Sequence, residues 1–154
     1  MKKIFIITII SVLFGSSLFA QRAATRKGNY AYKMFAYAKA INYYEKALKK
    51  DSMRQDVIFN LANCYRLTNN REKAEQVYAR AVTMPKCEAN HKYYYAKMLM
   101  NHGKYAQARK WMENFLVEHP TDRRGKLFLR ALDTYKSFFA DSSNYEISKT
   151  RPSL

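Results

Sequence analysis

The sequence predicts an all-α fold, a stack of about three helical hairpins closed by a C-terminal helix. The first observation behind this is a period of 34 residues: Ala40, Ala74 and Ala108, then Tyr44, Tyr78 and Met112, then Tyr37, Arg71 and Tyr105. The second is that apolar residues recur at helical spacing on both sides of a polar break within the period. The third is the placing of the breakers, with Gly103 at a break and Pro85 and Pro120 near unit ends. A fixed period of this length marks units that bury their apolar faces only against their neighbours. Such arrays hold partners and seldom carry chemistry.

The units run 21–54, 55–88 and 89–122. In the second, Leu61, Ala62 and Tyr65 lie on one helix face; the turn Thr68-Asn69-Asn70 follows, then Ala74, Tyr78 and Ala81. The third repeats this with Tyr95, Ala96 and Leu99, the turn Asn101-His102-Gly103, then Tyr105, Ala108 and Met112. Gly103 suits the left-handed backbone at a helix C-terminus. The three period alanines are expected where helices cross closely, since larger side chains would push them apart. A fourth amphipathic stretch, 123–140, places Leu127, Phe128, Ala131, Leu132, Tyr135 and Phe139 on one face, with Thr121 or Asp122 to cap it. It reads as the helix that covers the open end of the stack.

This pattern resembles the tetratricopeptide repeat. The matching residues are Gly28, Tyr37, Ala40, Tyr44 and Ala47 in the first unit, and Leu61, Ala62, Tyr65, Ala74, Tyr78 and Ala81 in the second. The third contributes Ala96, Gly103, Tyr105, Ala108 and Pro120. The resemblance implies a right-handed superhelical stack. No tryptophan starts a unit, Ala31 and Arg71 each stand where an aromatic is usual, and Phe115 stands where a small residue is usual. These departures are expected to loosen the packing locally.

In this family the first helix of each hairpin lines a concave groove. By register that groove holds Asn29, Tyr32 and Lys33; then Phe59, Asn60, Asn63 and Arg66; then Tyr93, Lys97 and Met100. Amide, aromatic and basic groups together suit an extended peptide, whose backbone meets the amides and whose carboxylates meet the cations. Some relatives clamp a C-terminal carboxylate with two asparagines and several basic residues. Asn29 and Asn60 match the asparagines, but Thr25, Asn90 and Tyr94 stand at the basic positions, and no clamp is predicted. Of Tyr93, Tyr94 and Tyr95, at least one ring faces outward, because three successive helical residues span about 200°.

Residues 1–20 read as a signal peptide: Lys2 and Lys3, an apolar run from Ile4 to Phe14, then small residues up to Leu18-Phe19-Ala20. The run is short for a membrane span, which takes about 20 apolar residues. The body is therefore expected to be exported, to the periplasm or the outer membrane. The tail 141–154 opens on a turn signal, Asp141-Ser142-Ser143-Asn144, and Tyr145-Glu146-Ile147-Ser148 alternates like a short strand with nothing to pair against. A signal peptide, a few repeats and such a connector are similar to the front end of OmpA-family envelope proteins of Bacteroidetes. Those continue into a propeller and a peptidoglycan-binding domain, and some serve secretion machinery. A truncated product and a stand-alone relative both remain open.

The chain carries a net +16, and loss of the leader removes two of those charges. Basic residues outnumber acidic ones nine to two in 22–54 and six to one in 86–110. Such a field attracts polyanions. Export argues against nucleic acid as the partner and favours an acidic protein or an anionic envelope surface. Cys64 and Cys87 are expected at opposite ends of a hairpin, too far apart for a disulfide. Cys87 and His91 do not make a metal site by themselves. No nucleophile is paired with a base and no glycine-rich phosphate loop occurs. The chain is thus read as a scaffold for a protein or peptide partner, without catalytic residues, metal or cofactor. The alternative is a basic protein of the cell wall or membrane surface with no peptide specificity.

Overall fold

Seven α-helices follow one another through the residues that the computed structural model describes, 22–142, and no strand occurs among them. They are α1 (22–33), α2 (Tyr37–Leu48), α3 (Gln55–Leu67), α4 (Arg71–Ala81), α5 (Ala89–Asn101), α6 (Tyr105–Glu118) and α7 (Arg123–Ser142). From α3 onward each helix packs on the one before it. The leader read at 1–20 and the strand read at 145–148 lie outside the described residues. The helix α7 runs through Asp141 and Ser142, which the sequence marks as the start of a turn.

The three bends inside the hairpins are built alike. Phe35, Asn69 and Gly103 each adopt the left-handed conformation, with φ of 57°, 57° and 71°. The N–H that follows each of them donates across the bend, Ala36 to Ala31, Asn70 to Tyr65 and Lys104 to Leu99, all at 2.9 Å. This is a Schellman ending, which satisfies a carbonyl that the helix leaves over. Glycine adopts it without strain and asparagine nearly so, whereas a phenylalanine there costs about 1–2 kcal/mol. Phe35 is also 78 % exposed, so its ring recovers little by burial. Phe35→Gly is therefore expected to stabilise the fold by about 1 kcal/mol, read as a higher urea midpoint at unchanged slope.

Two main cores fill the stack. The first lies among α1 to α4 around Tyr44, Leu61, Tyr65 and Tyr78 and takes in Met98 of α5; the second joins α5, α6 and α7 around Leu99, Met112, Phe115 and Phe128. Tyr95 packs against both. Ala40, Ala74 and Ala108 are fully buried, as close crossing requires. Phe115 does not loosen the third unit, as its place in the pattern led one to expect. It is fully buried, and Gly125 of α7 makes the room: a Cβ there would meet Leu116 at 2.7 Å and Phe115 at 3.2 Å. The expected apolar face of α7 is split. Phe128 and Leu132 are buried against the second core and Leu129 packs beside them, while Leu127, Ala131 and Tyr135 stay exposed. The helix meets α6 along the line Gly125, Phe128, Leu132, a narrower stripe than the sequence suggests. The Phe139 side chain lies outside the described ones. Asp122 provides the cap, accepting from the Arg124 N–H at 2.8 Å.

Candidate binding groove

Side chains link the first helices of successive hairpins into one surface. On α3, Arg66 Nε donates to the Tyr78 hydroxyl at 3.2 Å, and its guanidinium lies 3.9 Å above the Tyr94 ring of α5. Burial raises the pKa of Tyr32 of α1, and the nearby Arg66 works against that rise, which places Tyr32 in the same cluster. On α5, Tyr93 lies edge-on to Tyr94 at 5.2 Å. Above Tyr93 sit the Arg124 guanidinium of α7 at 4.8 Å and Lys97 Nζ at 5.8 Å. Cations of α3, α5 and α7 thus rest on the Tyr93 and Tyr94 rings of α5. Each such pair is worth roughly 0.5–1 kcal/mol at an exposed site, and it fixes where the charge is held.

The asparagines have a second task. The Tyr44 hydroxyl donates to Asn29 Oδ1 at 2.8 Å, and the Tyr78 hydroxyl donates to Asn63 Oδ1 at 2.7 Å. Both pairs join residues 15 apart, a first helix to its own second helix. A buried phenol needs an acceptor, and a groove-side amide provides it. Asn60 lies against the same Tyr44 hydroxyl. Asn29 and Asn63 keep their N–H groups for a ligand while their carbonyls are engaged, whereas Asn60 donates to the Tyr44 oxygen. In the third unit the pair is replaced at both ends, by Lys97 and Met112.

The remaining expected residues divide. Lys33 and Lys97 are exposed, and Tyr32, Arg66 and Tyr93 are half-buried with one face open. Phe59 stacks on His91 at 4.4 Å and packs against Ile58, Ala81 and Met84; Met100 packs against the second core. Both serve packing. Tyr94 and Arg124 belong to the surface but not to the set read from sequence. Arg124 stands one period after Asn90, and accepting the α7 helix as a continuation of the repeat would have included it; its Nη2 reaches Asn90 Oδ1 at 3.3 Å.

His91 is buried at the start of α5, where its Nδ1 accepts from the Glu88 N–H at 3.2 Å. Burial lowers its pKa from the usual value, more than the nearby Glu88 raises it. The folded protein therefore holds the ring neutral while the unfolded chain binds a proton near pH 6.5. Stability is expected to fall as pH drops through that value and to level off below the folded pKa. Urea unfolding at pH 7.5 and 5.5 reads this, and His91→Phe should remove this part of the slope.

Cys64 is buried and Cys87 half-buried, both as free thiols, and burial pushes the Cys64 pKa up to about 12. Among the described residues no group of three His, Cys, Asp or Glu is placed to hold a metal. No described helix is long and apolar enough to cross a membrane.

Residues 31–83, from the end of α1 through α4, match the tetratricopeptide repeat model. The fold is the tetratricopeptide repeat fold. Solved structures agree over most of the described chain. The tetratricopeptide repeat domain of Arabidopsis OM64 superposes with a TM-score of 0.64 at 23 % identity, over 77 % of this chain and 98 % of that one. The second such domain of human RPAP3, in complex with the HSP70 peptide SGPTIEEVD, gives 0.63 at 19 % identity, over 76 % and 98 %. The Yersinia enterocolitica type III secretion chaperone SycD, in complex with a peptide of the translocator YopD, gives 0.56 at 14 % identity, over 73 % and 86 %. No curated protein matches the sequence.

Proposed function

We propose that the chain is an exported scaffold that holds an extended segment of a protein partner at the cell envelope, along the face shared by α1, α3, α5 and the start of α7. The observation that carries this is the arrangement of Arg66 over Tyr94 and of Arg124 over Tyr93. Guanidinium groups held on aromatic rings are already ordered, so a carboxylate or backbone carbonyl of the partner meets Arg66 at little entropic cost, and Arg124, whose Nε and Nη2 also bond the Asp122 carboxylate, is held in place beside it. The amide N–H groups of Asn29 and Asn63 stand ready for its backbone. Structural neighbours in complex with peptides support the reading. A carboxylate clamp remains outside it: Thr25 is buried, Asn90 accepts from Arg124, and Tyr94 lies under Arg66. Export rests on residues 1–20, and a link to OmpA-type or secretion assemblies rests on the connector at 145–149.

Capture from envelope extract tests this, with the wild-type chain and the variant Arg66→Glu/Arg124→Glu compared at low and raised salt. A partner bound by the groove stays with the wild type in part as salt rises and is lost by about tenfold or more from the variant. The net +16 favours a second reading, a basic protein lying on an anionic surface. Under that reading wild type and variant release together as salt rises, and no single protein is retained. N-terminal sequencing of the periplasmic fraction checks export, with Gln21 the expected first residue.

A further inference from the structure

The stack has a second open seat, away from the groove. Each later hairpin is covered by the helix that follows it: α3 lies on α2, α5 on α4 and α7 on α6. No described helix covers the front of α1 and α2. There the two helices leave a cleft of about 460 Å³ whose floor includes Tyr30, Met34 and Tyr43 and whose rim holds Arg26, Lys27 and Lys39. Tyr30 is 66 % and Met34 57 % exposed. The cleft follows α1 from Ala23 to Met34, about 16 Å at the helical rise, which matches about three turns of a second helix. No acidic residue lines it. The one acid in the sequence of α1 and α2, Glu45, is engaged by the Tyr65 hydroxyl and faces Lys73.

We propose that this end of the stack docks an acidic amphipathic helix of a partner protein, independently of the groove. The floor takes apolar anchors at i, i+3 or i+4 and i+7, and the three cations meet carboxylates flanking that stripe. Charge selects this occupant over the two others at hand. Residues 4–20 of the same chain hold no acid, so they offer the floor an apolar surface but leave the rim unmatched. A second copy brings a net +16 against a basic rim, which opposes self-association.

The test is a fluorescence-anisotropy titration of the full chain with a labelled synthetic peptide of three helical turns, leucines on one face and glutamates beside them. A second peptide carries lysine in place of each glutamate. The glutamate peptide is expected to bind and the lysine peptide not. Arg26→Glu/Lys39→Glu is expected to weaken binding about tenfold or more, and Met34→Glu to do likewise, while Arg66→Ala in the groove leaves it unchanged. All four positions are at least partly exposed, and circular dichroism confirms that the variants fold. As a check free of variants, amide shifts in the labelled wild type should move at 23–43 on addition of the peptide. The proposal is overturned by no binding, by equal binding of both peptides, by loss on Arg66→Ala, or by amide shifts confined to α5. It is also overturned if binding appears only once residues 1–20 are removed, or if sedimentation shows a dimer that Met34→Glu dissolves. A failed groove reading leaves this result untouched, because the two sites use different cations.

Discussion

Tyr78→Ala is expected to lower the unfolding free energy by about 3–5 kcal/mol, a large share of the roughly 5–15 kcal/mol that holds a typical domain together. The side chain is fully buried between α4 and the next hairpin, with the His91 ring at 6.5 Å and the Tyr94 ring at 6.3 Å. Its removal opens a cavity that two helices must collapse to fill. It also removes the donor to Asn63 and the acceptor for Arg66. Tyr78→Phe separates the two effects. The ring stays, the hydroxyl goes, and the cost is expected near 1–2 kcal/mol, because Asn63 loses a partner at a half-buried position. That milder variant also frees Arg66 from its place above Tyr94, so groove binding should weaken while the fold survives. Urea unfolding with paired peptide titrations reads both. Full affinity in Tyr78→Phe would show that Arg66 is held in place by Tyr94 alone.

That tyrosine shows where sequence reading stops. The 34-residue period placed it correctly in the core, and composition gave no reason to look further. Its hydroxyl nevertheless had to end on an acceptor, and that acceptor, 15 residues back, is the groove amide of Asn63, as Asn29 is for Tyr44. The substitution of both partners at once in the third unit, to Lys97 and Met112, was the visible trace of the pairing. The bends tell a similar story. Gly103 is legible as a left-handed residue by its type alone. Phe35 and Asn69 are legible only by counting back one and two periods, since phenylalanine is nearly the last residue chemistry would place there. The α7 helix was recognised as a cover, but not as a supplier of Arg124 to the binding surface, because a cover was read as the end of the pattern and not as its next turn. The position of a repeat can thus be read from residue types. What each residue does there depends on its neighbours across the stack, and those are not sequence neighbours.

Gly28→Val is expected to cost about 3 kcal/mol, and Gly28→Ala about 1 kcal/mol, although alanine gains close to 1 kcal/mol of helix propensity over glycine. A Cβ at position 28 would lie 2.6 Å from Tyr44 Cε1 and 2.7 Å from its Cδ1. The ring has nowhere to go: Tyr44 is fully buried, and its hydroxyl is held by Asn29, the residue next to Gly28 on the same helix. One period on, Ala62 carries a methyl at the equivalent place and is fully buried, so it is the approach of the Tyr44 ring that sets position 28 apart. Tyr44→Phe offers the discriminating background. Without the hydroxyl the ring is released from Asn29 and can tilt away, so Gly28→Ala should cost less there than in the wild type, a coupling that a double-mutant cycle measures directly. Equal costs in both backgrounds would mean that the ring is confined by the core around it. A stabilising Gly28→Ala in the wild type would mean that α1 yields as a whole, sliding outward on α2 to admit the methyl.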